Sequence, residues 1–268
     1  MPPLSIGIWQ LEMSMKAPID RLREIMAALR APNGCPWDKE QTHATIKPQL
    51  LEECYEVLEA IDSGDAKHLQ EELGDVLLHV VFHCQLASEA GQFTFDDVAT
   101  GISDKLVRRH PHVFGDVNAP DTKTVLKNWD AIKKQEKPER QGPFDGIPKV
   151  LPALMRATEV SKKAAKVGFD WQDASGAMAK VHEEIEELKA DAHDKVRAAD
   201  ELGDLLFATV NLSRHLKLDA EQCLSDATKK FQRRFERMAA HLAAQGKNLE
   251  DCTLAEMDAV WNEIKHKG

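Results

Sequence analysis

The chain is poor in the residues that mark β-sheet and disulfide-rich folds. Aromatic residues make up only 6% of its 268 residues, and there is a single tyrosine. Because aromatic side chains are enriched in β-strands, their scarcity argues against a β-sandwich or a β-barrel. The five cysteines form no CxxC pair and leave one unmatched, a pattern typical of a reduced protein rather than of a disulfide framework or a zinc ribbon.

Long apolar runs and a net positive charge are also lacking. No stretch approaches the roughly 18–20 apolar residues that span a bilayer, and residues 1–16 contain no basic segment followed by an apolar run. The formal net charge of −10 argues against a nucleic-acid-binding protein, which normally carries a net basic face. With 43% hydrophobic residues the chain can form a real core. We therefore expect a folded cytoplasmic protein that has neither a membrane nor a nucleic acid as its partner.

The distribution of proline predicts two helical domains. Half of the twelve prolines fall within residues 111–152, and none follows this stretch. Its proline-rich end predicts an irregular linker over residues 138–152. On either side the apolar residues recur with the period of a helix, as they do in residues 50–61, and no alternating strand pattern is found. The sequence therefore predicts an all-α fold with one domain at 19–137 and a second at 153–268.

The two halves of the chain share four sequence blocks in the same order. The first half contains EECYEVLEAI, EELGDVLLHVV, KLVRRH and NWDAIKK, and the second half contains EEIEELKAD, DELGDLLFATV, KFQRRF and VWNEIKH. Four blocks in one order are typical of an internal repeat. The sequence thus predicts the tandem duplication of one helical unit.

The first two blocks of each half carry pairs of acidic residues spaced by three, which places both carboxylates of a pair on one face of a helix. In the first blocks these pairs are Glu53 with Glu56 and Glu184 with Glu187, and in the second blocks they are Glu72 with Asp75 and Glu201 with Asp204. Each aspartate leads into a run that is apolar nearly all round, which predicts a buried helix. Packed antiparallel, two such helices direct four carboxylates to one place, where they repel unless a cation lies between them.

Ligands that are all oxygen predict a hard cation, Mg²⁺ or Mn²⁺, rather than zinc or copper. Bundle di-iron sites normally add Glu-x-x-His on two helices, whereas the second block here has Glu-x-x-Asp. His79 and His83 lie near the face of Asp75, which allows a histidine ligand in the first half. Their counterparts in the second half are Ala208 and Leu212, so the duplicated core does not require them.

Basic and aromatic residues of the third and fourth blocks match a phosphate-bearing substrate. Magnesium carboxylate sites usually complete their coordination with water and substrate phosphates, and arginine binds phosphate oxygens bidentately. The cations cluster as Lys105, Arg108 and Arg109 in the first half and as Lys230, Arg233 and Arg234 in the second. Trp129 with Lys133, and Trp261 with Lys265, each present a ring and a cation on one helical face.

Together these motifs resemble the MazG family of all-α nucleoside triphosphate pyrophosphohydrolases. The resemblance covers nearly the whole chain and rests on GCPWDKEQTH, LLEECYEVLEAI, EELGDVLLHVVFH, KLVRRHPHVFG and NWDAIKKQEK, then on GFDW, VHEEIEEL, DELGDLLFATVNLSRHL, KKFQRRF and VWNEIK. It implies a homodimer that hydrolyses NTPs or dNTPs to the monophosphate and pyrophosphate and needs Mg²⁺.

By motif position, the resemblance also implies roles for single residues. Metal ligands match Glu53, Glu56, Glu72 and Asp75 in the first half and Glu184, Glu187, Glu201 and Asp204 in the second. Nucleotide contacts match Lys180, Arg197, Lys230, Arg234, Trp261 and Lys265.

Our mechanistic hypothesis is that Mg²⁺ on the carboxylates activates a water for in-line attack on the α-phosphorus. Lys230, Arg233 or Arg234, together with Mg²⁺, then stabilises the charge of the leaving pyrophosphate. Glu52 or Glu183, next to the ligands, orients or deprotonates the water.

Two other functions stay open at this point. One is a di-iron carboxylate oxidase that uses the histidines of the first half, and the other is a non-catalytic helical bundle that binds a nucleotide or a partner protein. Within the hydrolase hypothesis we favour the second half as the more active, because its KxxRR cluster and its terminal Trp-Lys helix match a phosphate-binding pattern more clearly than the corresponding residues of the first half.

Overall fold

A computed structural model describes residues 16–136 and 142–267, and every regular element among them is helical, which confirms the predicted all-α fold. The chain divides into two compact units, Met1–Glu136 (unit 1) and Lys137–Gly268 (unit 2). Residues 1–15, on which the expectation about the N-terminus rests, lie outside the described residues, as do 137–141 at the predicted linker and 268. Within the described ranges no helix is long and apolar enough to cross a membrane.

Unit 1 contains seven helices among its described residues. They are α1 (Pro18–Arg30), α2 (Pro36–Glu40), α3 (Lys47–Ser63), α4 (Ala66–Glu89), α5 (Phe95–Arg109), α6 (Pro111–Phe114) and α7 (Thr122–Glu136). Helices α3 and α4 pack against each other, α1 and α5 pack on α4, and α7 packs on α5. Helix α4 is therefore the central element of the unit.

Unit 2 follows the same plan in its described part. Its helices are α8 (Ala153–Lys166), α9 (Ala174–Asp191), α10 (Lys195–His215), α11 (Ala220–Ala244) and α12 (Leu254–Lys267), with a 3₁₀ turn at Leu249–Asp251. Helices α9 and α10 form the most extensive packed pair, α8 packs on α10 and α11, and α12 packs on α11.

The α3–α4 pair is a helical hairpin because its connection is only two residues long. Gly64 ends α3 with a φ of 71°, a conformation that a residue with a side chain adopts only under strain. Asp65 then begins α4, and its carboxylate accepts hydrogen bonds from the backbone N–H groups of Lys67 and His68 at 2.9 and 3.2 Å. This N-cap satisfies donors that the first turn of a helix leaves unpaired.

The α9–α10 pair repeats this construction. Asp194 caps α10, accepting from the backbone N–H groups of Val196 and Arg197 at 3.0 and 3.4 Å. Asp65 and Asp194 both stand seven residues before the first member of the acidic pair in the second block, Glu72 in unit 1 and Glu201 in unit 2. The same cap thus sets the register of the acidic residues in both hairpins.

A small apolar core holds each unit together. In unit 1, Met26, Ile46 and Phe82 are buried in one cluster with Val81 and Leu86. In unit 2, the core between the last two helices is built from Met238, Leu242 and Ile264. Burial of a large apolar side chain contributes about 1.5–3 kcal/mol, so these clusters fix how the helices pack in each unit.

The apolar runs that follow Asp75 and Asp204 are not buried all round, and that expectation was wrong. His79 and Val81 are buried on α4, but Leu77 is 40% exposed. On α10, Leu206 is 51% exposed. The physical reason is that the neighbouring helices cover each hairpin from one side, so part of its apolar surface stays accessible.

We expect Asp65→Ala to lower the free energy of unfolding of the full chain by about 0.5–2 kcal/mol, the usual cost of losing an N-cap. Urea unfolding followed by circular dichroism measures it. Asp65→Asn is the matched control, since asparagine caps a helix as well as aspartate does and removes the same charge. Equal destabilisation by both substitutions would contradict the capping role.

Candidate active site

The hairpin of unit 1 brings three of the predicted acidic residues together. Carboxylate oxygens of Glu53 and Glu56 on α3 and of Glu72 on α4 all lie within 4.8 Å of one another. Asp75 follows Glu72 by three residues on the same face of α4 and lies close enough to raise the pKa of Glu53. These four residues are named the unit 1 acidic group.

The hairpin of unit 2 forms a similar group. Carboxylate oxygens of Glu184 on α9 and of Glu201 and Asp204 on α10 lie within 4.8 Å of one another. Glu187 lies one turn after Glu184, and its carboxyl group interacts with those of Glu184 and Glu201. These four residues are named the unit 2 acidic group.

Two glutamates in each acidic group have a raised pKa. Burial raises the pKa of Glu53 and Glu72 above 4.5, and the neighbouring carboxylate of Glu56 raises both further. In unit 2, burial is the largest cause of the raised pKa of Glu187, and the neighbouring carboxylate of Glu184 is the next largest. The pKa of Glu201 is also raised, first by burial and then by its acidic neighbours. Like charges held this closely favour the neutral form unless a cation compensates them.

The donor atoms of both acidic groups suit a hard divalent cation. All eight acidic side chains offer carboxylate oxygen, which Mg²⁺ prefers. In unit 2, Glu184 is only 3% exposed, and its buried Oε2 has no hydrogen-bond partner within the part of the chain that the structure describes. A buried carboxylate oxygen is costly without a partner, so this atom fits the position of a metal ligand.

Lys180 lies directly beside the unit 2 acidic group. Its Nζ is 2.6 Å from Glu184 Oε1 and 2.7 Å from Glu183 Oε1, and the hydrogen bonds to Glu183 and Glu184 raise the pKa of Lys180. The lysine therefore stays charged. The two acids predicted to orient water, Glu183 and its unit 1 counterpart Glu52, are both exposed, and Glu183 is engaged with Lys180.

Arg197 stands at the entrance to the same group. It is in the first turn of α10, one turn before Glu201, and its side chain is 68% exposed. Its guanidinium lies 3.5 Å from Asp191 and 3.8 Å from Asp194, at distances that leave its donors available to other acceptors.

The remaining predicted nucleotide contacts of unit 2 lie on its last two long helices. Lys230 and Arg233 are exposed on α11 and Arg234 is half-buried, and no hydrogen bond or ion pair engages them within the described part of unit 2. Trp261 on α12 packs against Phe231, with ring centroids 5.1 Å apart. The described side chains do not bring this cluster into contact with the acidic group. Lys265 is exposed one turn further along α12.

The matching cations of unit 1 are engaged by one acid. Arg108 Nε donates to Glu136 Oε1 at 2.8 Å, and Arg109 Nε donates to Glu136 Oε2 at 3.0 Å, which lowers the pKa of Glu136 to about 2. Arg109 also lies over the ring of Trp129, 5.3 Å from its centroid. Counted from the tryptophan of the fourth block, the position in unit 2 that matches Glu136 is Gly268, which has no acceptor side chain.

Unit 2 contains an aromatic cavity of about 390 Å³, which is lined in part by α10, the helix that carries Glu201 and Asp204. Phe207 and Asn211 line it from α10, one and two turns after Asp204 on the same face. The wall is completed by Phe144, Phe169, Trp171, Val160, Ala164, Gly168, Asp170 and Ser161. The motif GFDW, which ends at Trp171, carries part of the family resemblance, but the cavity itself depends on tertiary packing that periodicity does not reveal.

Comparison with known proteins identifies one family, both from a domain model and from similar whole chains. Residues 41–114 and 172–238 each match the model of the MazG nucleotide pyrophosphohydrolase domain, which confirms the predicted duplication. The chain is 49% identical over 256 residues to the nucleoside triphosphate pyrophosphohydrolase of Escherichia coli (strain K12), covering 93% of this chain and 97% of that protein. It is 46% identical over 247 residues to the nucleoside triphosphate pyrophosphohydrolase/pyrophosphatase MazG of Thermotoga maritima, covering 92% and 95% respectively.

The raised pKa of Glu187 predicts how stability depends on pH. The folded state keeps the carboxyl proton of Glu187 to a higher pH than the unfolded chain does. The free energy of unfolding therefore falls as the pH rises from 4.5 through the raised pKa of Glu187. We therefore expect the metal-free Glu187→Gln variant to be more stable than the unsubstituted chain at neutral pH, and no more stable below pH 4.5. Urea unfolding at both pH values, with a chelator present, measures the difference.

Glu186→Gln is the matched control for this experiment. Glu186 precedes Glu187 on α9, but its carboxylate is exposed and bonded to Lys189 at 2.8 Å. This substitution removes the same charge without relieving repulsion, so it gives no gain in stability. A gain from Glu186→Gln equal to that from Glu187→Gln would show that only the net charge matters.

Proposed function

Because the chain belongs to the MazG family of nucleotide pyrophosphohydrolases, we propose that it hydrolyses nucleoside triphosphates to the monophosphate and pyrophosphate. The observation that carries the proposal is the convergence of Glu184, Glu201 and Asp204 in unit 2. The family is one of hydrolases, which disfavours the alternative of a non-catalytic bundle.

Mg²⁺ is the cofactor that we propose, with Mn²⁺ as its substitute, held by the unit 2 acidic group. When bound there, such an ion supplies positive charge to the phosphate oxygens and to the attacking water. The raised pKa of Glu187 and Glu201 and the unpartnered Oε2 of Glu184 support this assignment, because each marks negative charge that has too little compensation.

We propose that cations from two separate parts of unit 2, the acidic group and helix α11, bind the triphosphate. Lys180 and Arg197 lie at the edge of the acidic group, where they neutralise phosphate charge and hold the α-phosphorus in position for attack. Arg233, with Lys230 and Arg234, takes up the charge that develops on pyrophosphate as it leaves. Trp261 and Lys265 extend the same surface. Glu183 holds Lys180 in place, and we retain it as the residue that orients the water, with Glu52 in the same role in unit 1.

The aromatic cavity offers a place for the nucleobase. Phe207 lies one turn after Asp204 on α10, so a nucleotide whose phosphates lie at the acidic group can reach the cavity with its base. Stacking of a base on aromatic rings contributes about 1–3 kcal/mol and tolerates different bases. The hydroxyl of Ser161, buried without a hydrogen-bond partner among the described residues, offers a polar contact at its wall.

A homodimer is part of the proposal and is supported by exposed apolar surface. Leu77 and Leu206 lie on the hairpins that carry the acidic groups and remain 40% and 51% exposed. Apolar surface of this kind on a packed helix is typical of an interface with another protein. The cytoplasmic location stays a prediction.

We propose that unit 2 performs most of the hydrolysis, because Glu136 engages Arg108 and Arg109 of unit 1, whereas no described residue engages Arg233 or Arg234 of unit 2. Asp204→Asn in the full chain should then lower kcat by about 100-fold or more, since loss of even an outer-shell metal partner costs about 10–100-fold. Asp75→Asn, the same change in unit 1, should leave most of the activity. Pyrophosphate release from each NTP with Mg²⁺ measures both, and the reverse ranking would refute the assignment.

Arg233→Ala tests the proposed role of the cation cluster. A charge-assisted hydrogen bond contributes about 1.5–3 kcal/mol, so this change should lower kcat/KM for NTP by roughly 10–100-fold. Arg108→Ala is the matched control, because Arg108 is the exposed counterpart in unit 1 and is bound to Glu136. An equal loss from both substitutions would mean that the arginines act through net charge alone.

A further inference from the structure

Unit 1 carries an imidazole beside its acidic group that unit 2 does not have. His79 lies on α4 one turn after Asp75, and the matching position on α10, one turn after Asp204, is Ala208. The two hairpins therefore differ in the donor atoms that they direct to the same place. Unit 2 offers oxygen, whereas unit 1 adds a nitrogen.

The position of this imidazole fits a metal ligand better than a hydrogen-bond partner. His79 Nε2 lies 3.9 Å from Glu53 Oε1, which is too long for an N–H···O hydrogen bond. A divalent transition ion binds nitrogen and oxygen at about 2.0–2.2 Å, so a single ion can bridge the two atoms. Glu53 belongs to the trio of carboxylates, with Glu56 and Glu72, whose oxygens already lie within 4.8 Å of one another.

Burial distinguishes His79 from an ordinary surface histidine. Its residue is only 9% exposed, and its Nδ1 has no hydrogen-bond partner within the described part of unit 1. Buried polar atoms are nearly always satisfied. The Nε2 of His79 faces Glu53 and makes no hydrogen bond among the described residues either, so a metal ion bound there would give that nitrogen a partner.

The other two imidazoles near this place each have a partner at one ring nitrogen, although the Nε2 of His83 is also buried without a partner among the described residues. His68 is half-buried, and its Nε2 lies 3.1 Å from Glu72 Oε1, within hydrogen-bond distance. His83, one turn after His79, lies with its Nδ1 2.7 Å from His43 Nδ1, and these two rings stack in parallel. His79 is thus the histidine that combines burial with an approach to a carboxylate that no hydrogen bond explains.

We propose that the unit 1 acidic group together with His79 binds a divalent transition ion, of the class of Co²⁺ and Zn²⁺, in preference to Mg²⁺. A nitrogen donor strengthens binding of the later first-row transition ions, whereas Mg²⁺ gains little from it. Unit 2, with Ala208 at the matching position, keeps the preference of an all-oxygen site for Mg²⁺. The inference rests on the proposed function in one respect, that these acidic groups hold metal ions.

Cobalt is the probe that tests the proposal, since Co²⁺ absorbs visible light in a way that reports its ligands. The full-length chain, in a large excess of Mg²⁺, is titrated with Co²⁺, and the bound cobalt is quantified after gel filtration. We expect one Co²⁺ per chain for the unsubstituted protein. His79→Gln keeps the size of the side chain but replaces the nitrogen donor with an amide oxygen, and it should weaken Co²⁺ binding by about 100-fold or more.

His68→Gln is the matched control, because it removes an imidazole that touches the same group from the exposed side. It should leave Co²⁺ binding unchanged. Co²⁺ binding by His79→Gln at the unsubstituted level, loss of Co²⁺ from His68→Gln instead, or displacement of Co²⁺ from the unsubstituted chain by Mg²⁺ would each overturn the proposal.

A measurement on the unsubstituted chain avoids any dependence on how the variants fold. Pulsed electron paramagnetic resonance of Mn²⁺ at a ratio of two ions per chain, one for each acidic group, detects a directly bound imidazole nitrogen. We expect that nitrogen signal, and its absence refutes the role of His79. Mg²⁺-dependent pyrophosphate release is measured on the same samples, so a missing nitrogen ligand with normal hydrolysis overturns this inference alone and leaves the proposed function standing.

Discussion

Mutual repulsion among carboxylates is the constraint on which the rest of the structure depends. Each hairpin holds three acidic side chains whose oxygens lie within 4.8 Å of one another, and a fourth stands one turn away. Neighbouring carboxylates raise the pKa of Glu53, Glu72, Glu187 and Glu201 in addition to the effect of burial. Capped helices and apolar packing must therefore offset this repulsion to keep the acidic groups together. Such an arrangement is favourable only when a cation joins it.

Duplication has preserved this constraint while the surroundings of the two acidic groups have diverged. Asp65 and Asp194 cap the corresponding helices in the same register, so the acidic residues converge in both units. Unit 1 has His79 beside its acidic group and an acid, Glu136, that engages Arg108 and Arg109, whereas unit 2 has Lys180 against Glu184 and no described partner for Arg233 and Arg234. We interpret unit 2 as the unit adapted to a phosphate substrate and unit 1 as a related site with a different metal preference.

Much of the fold and of the acidic groups could be predicted from the sequence, because both depend on local periodicity. Spacing by three on a helix already places Glu184 with Glu187 and Glu201 with Asp204, and the short connection between the helices then brings the pairs together. The family resemblance, stated from the motifs, is confirmed by the matches at residues 41–114 and 172–238.

Features that depend on tertiary packing could not be predicted. The engagement of Arg108 by Glu136 joins residues that are 28 apart in sequence, and the cavity combines Phe144 on a loop with Phe207 on α10. The expected all-round burial after Asp75 was wrong for a related reason: an apolar sequence shows that a face can be buried, but not how many neighbours cover it. Leu77 and Leu206 stay exposed because their hairpins are covered from one side.

The central claim, that converging carboxylates bind divalent ions at which a triphosphate is hydrolysed, is tested most directly by crystallography with Mn²⁺ and a non-hydrolysable NTP analogue. Anomalous scattering locates Mn²⁺ independently of the protein atoms. The account predicts a manganese peak within bonding distance of Glu184, Glu201 and Asp204, with the phosphates of the analogue bound to the same ion. A nucleotide and its ions bound elsewhere on the chain, with these three carboxylates bonded to no metal, would contradict it.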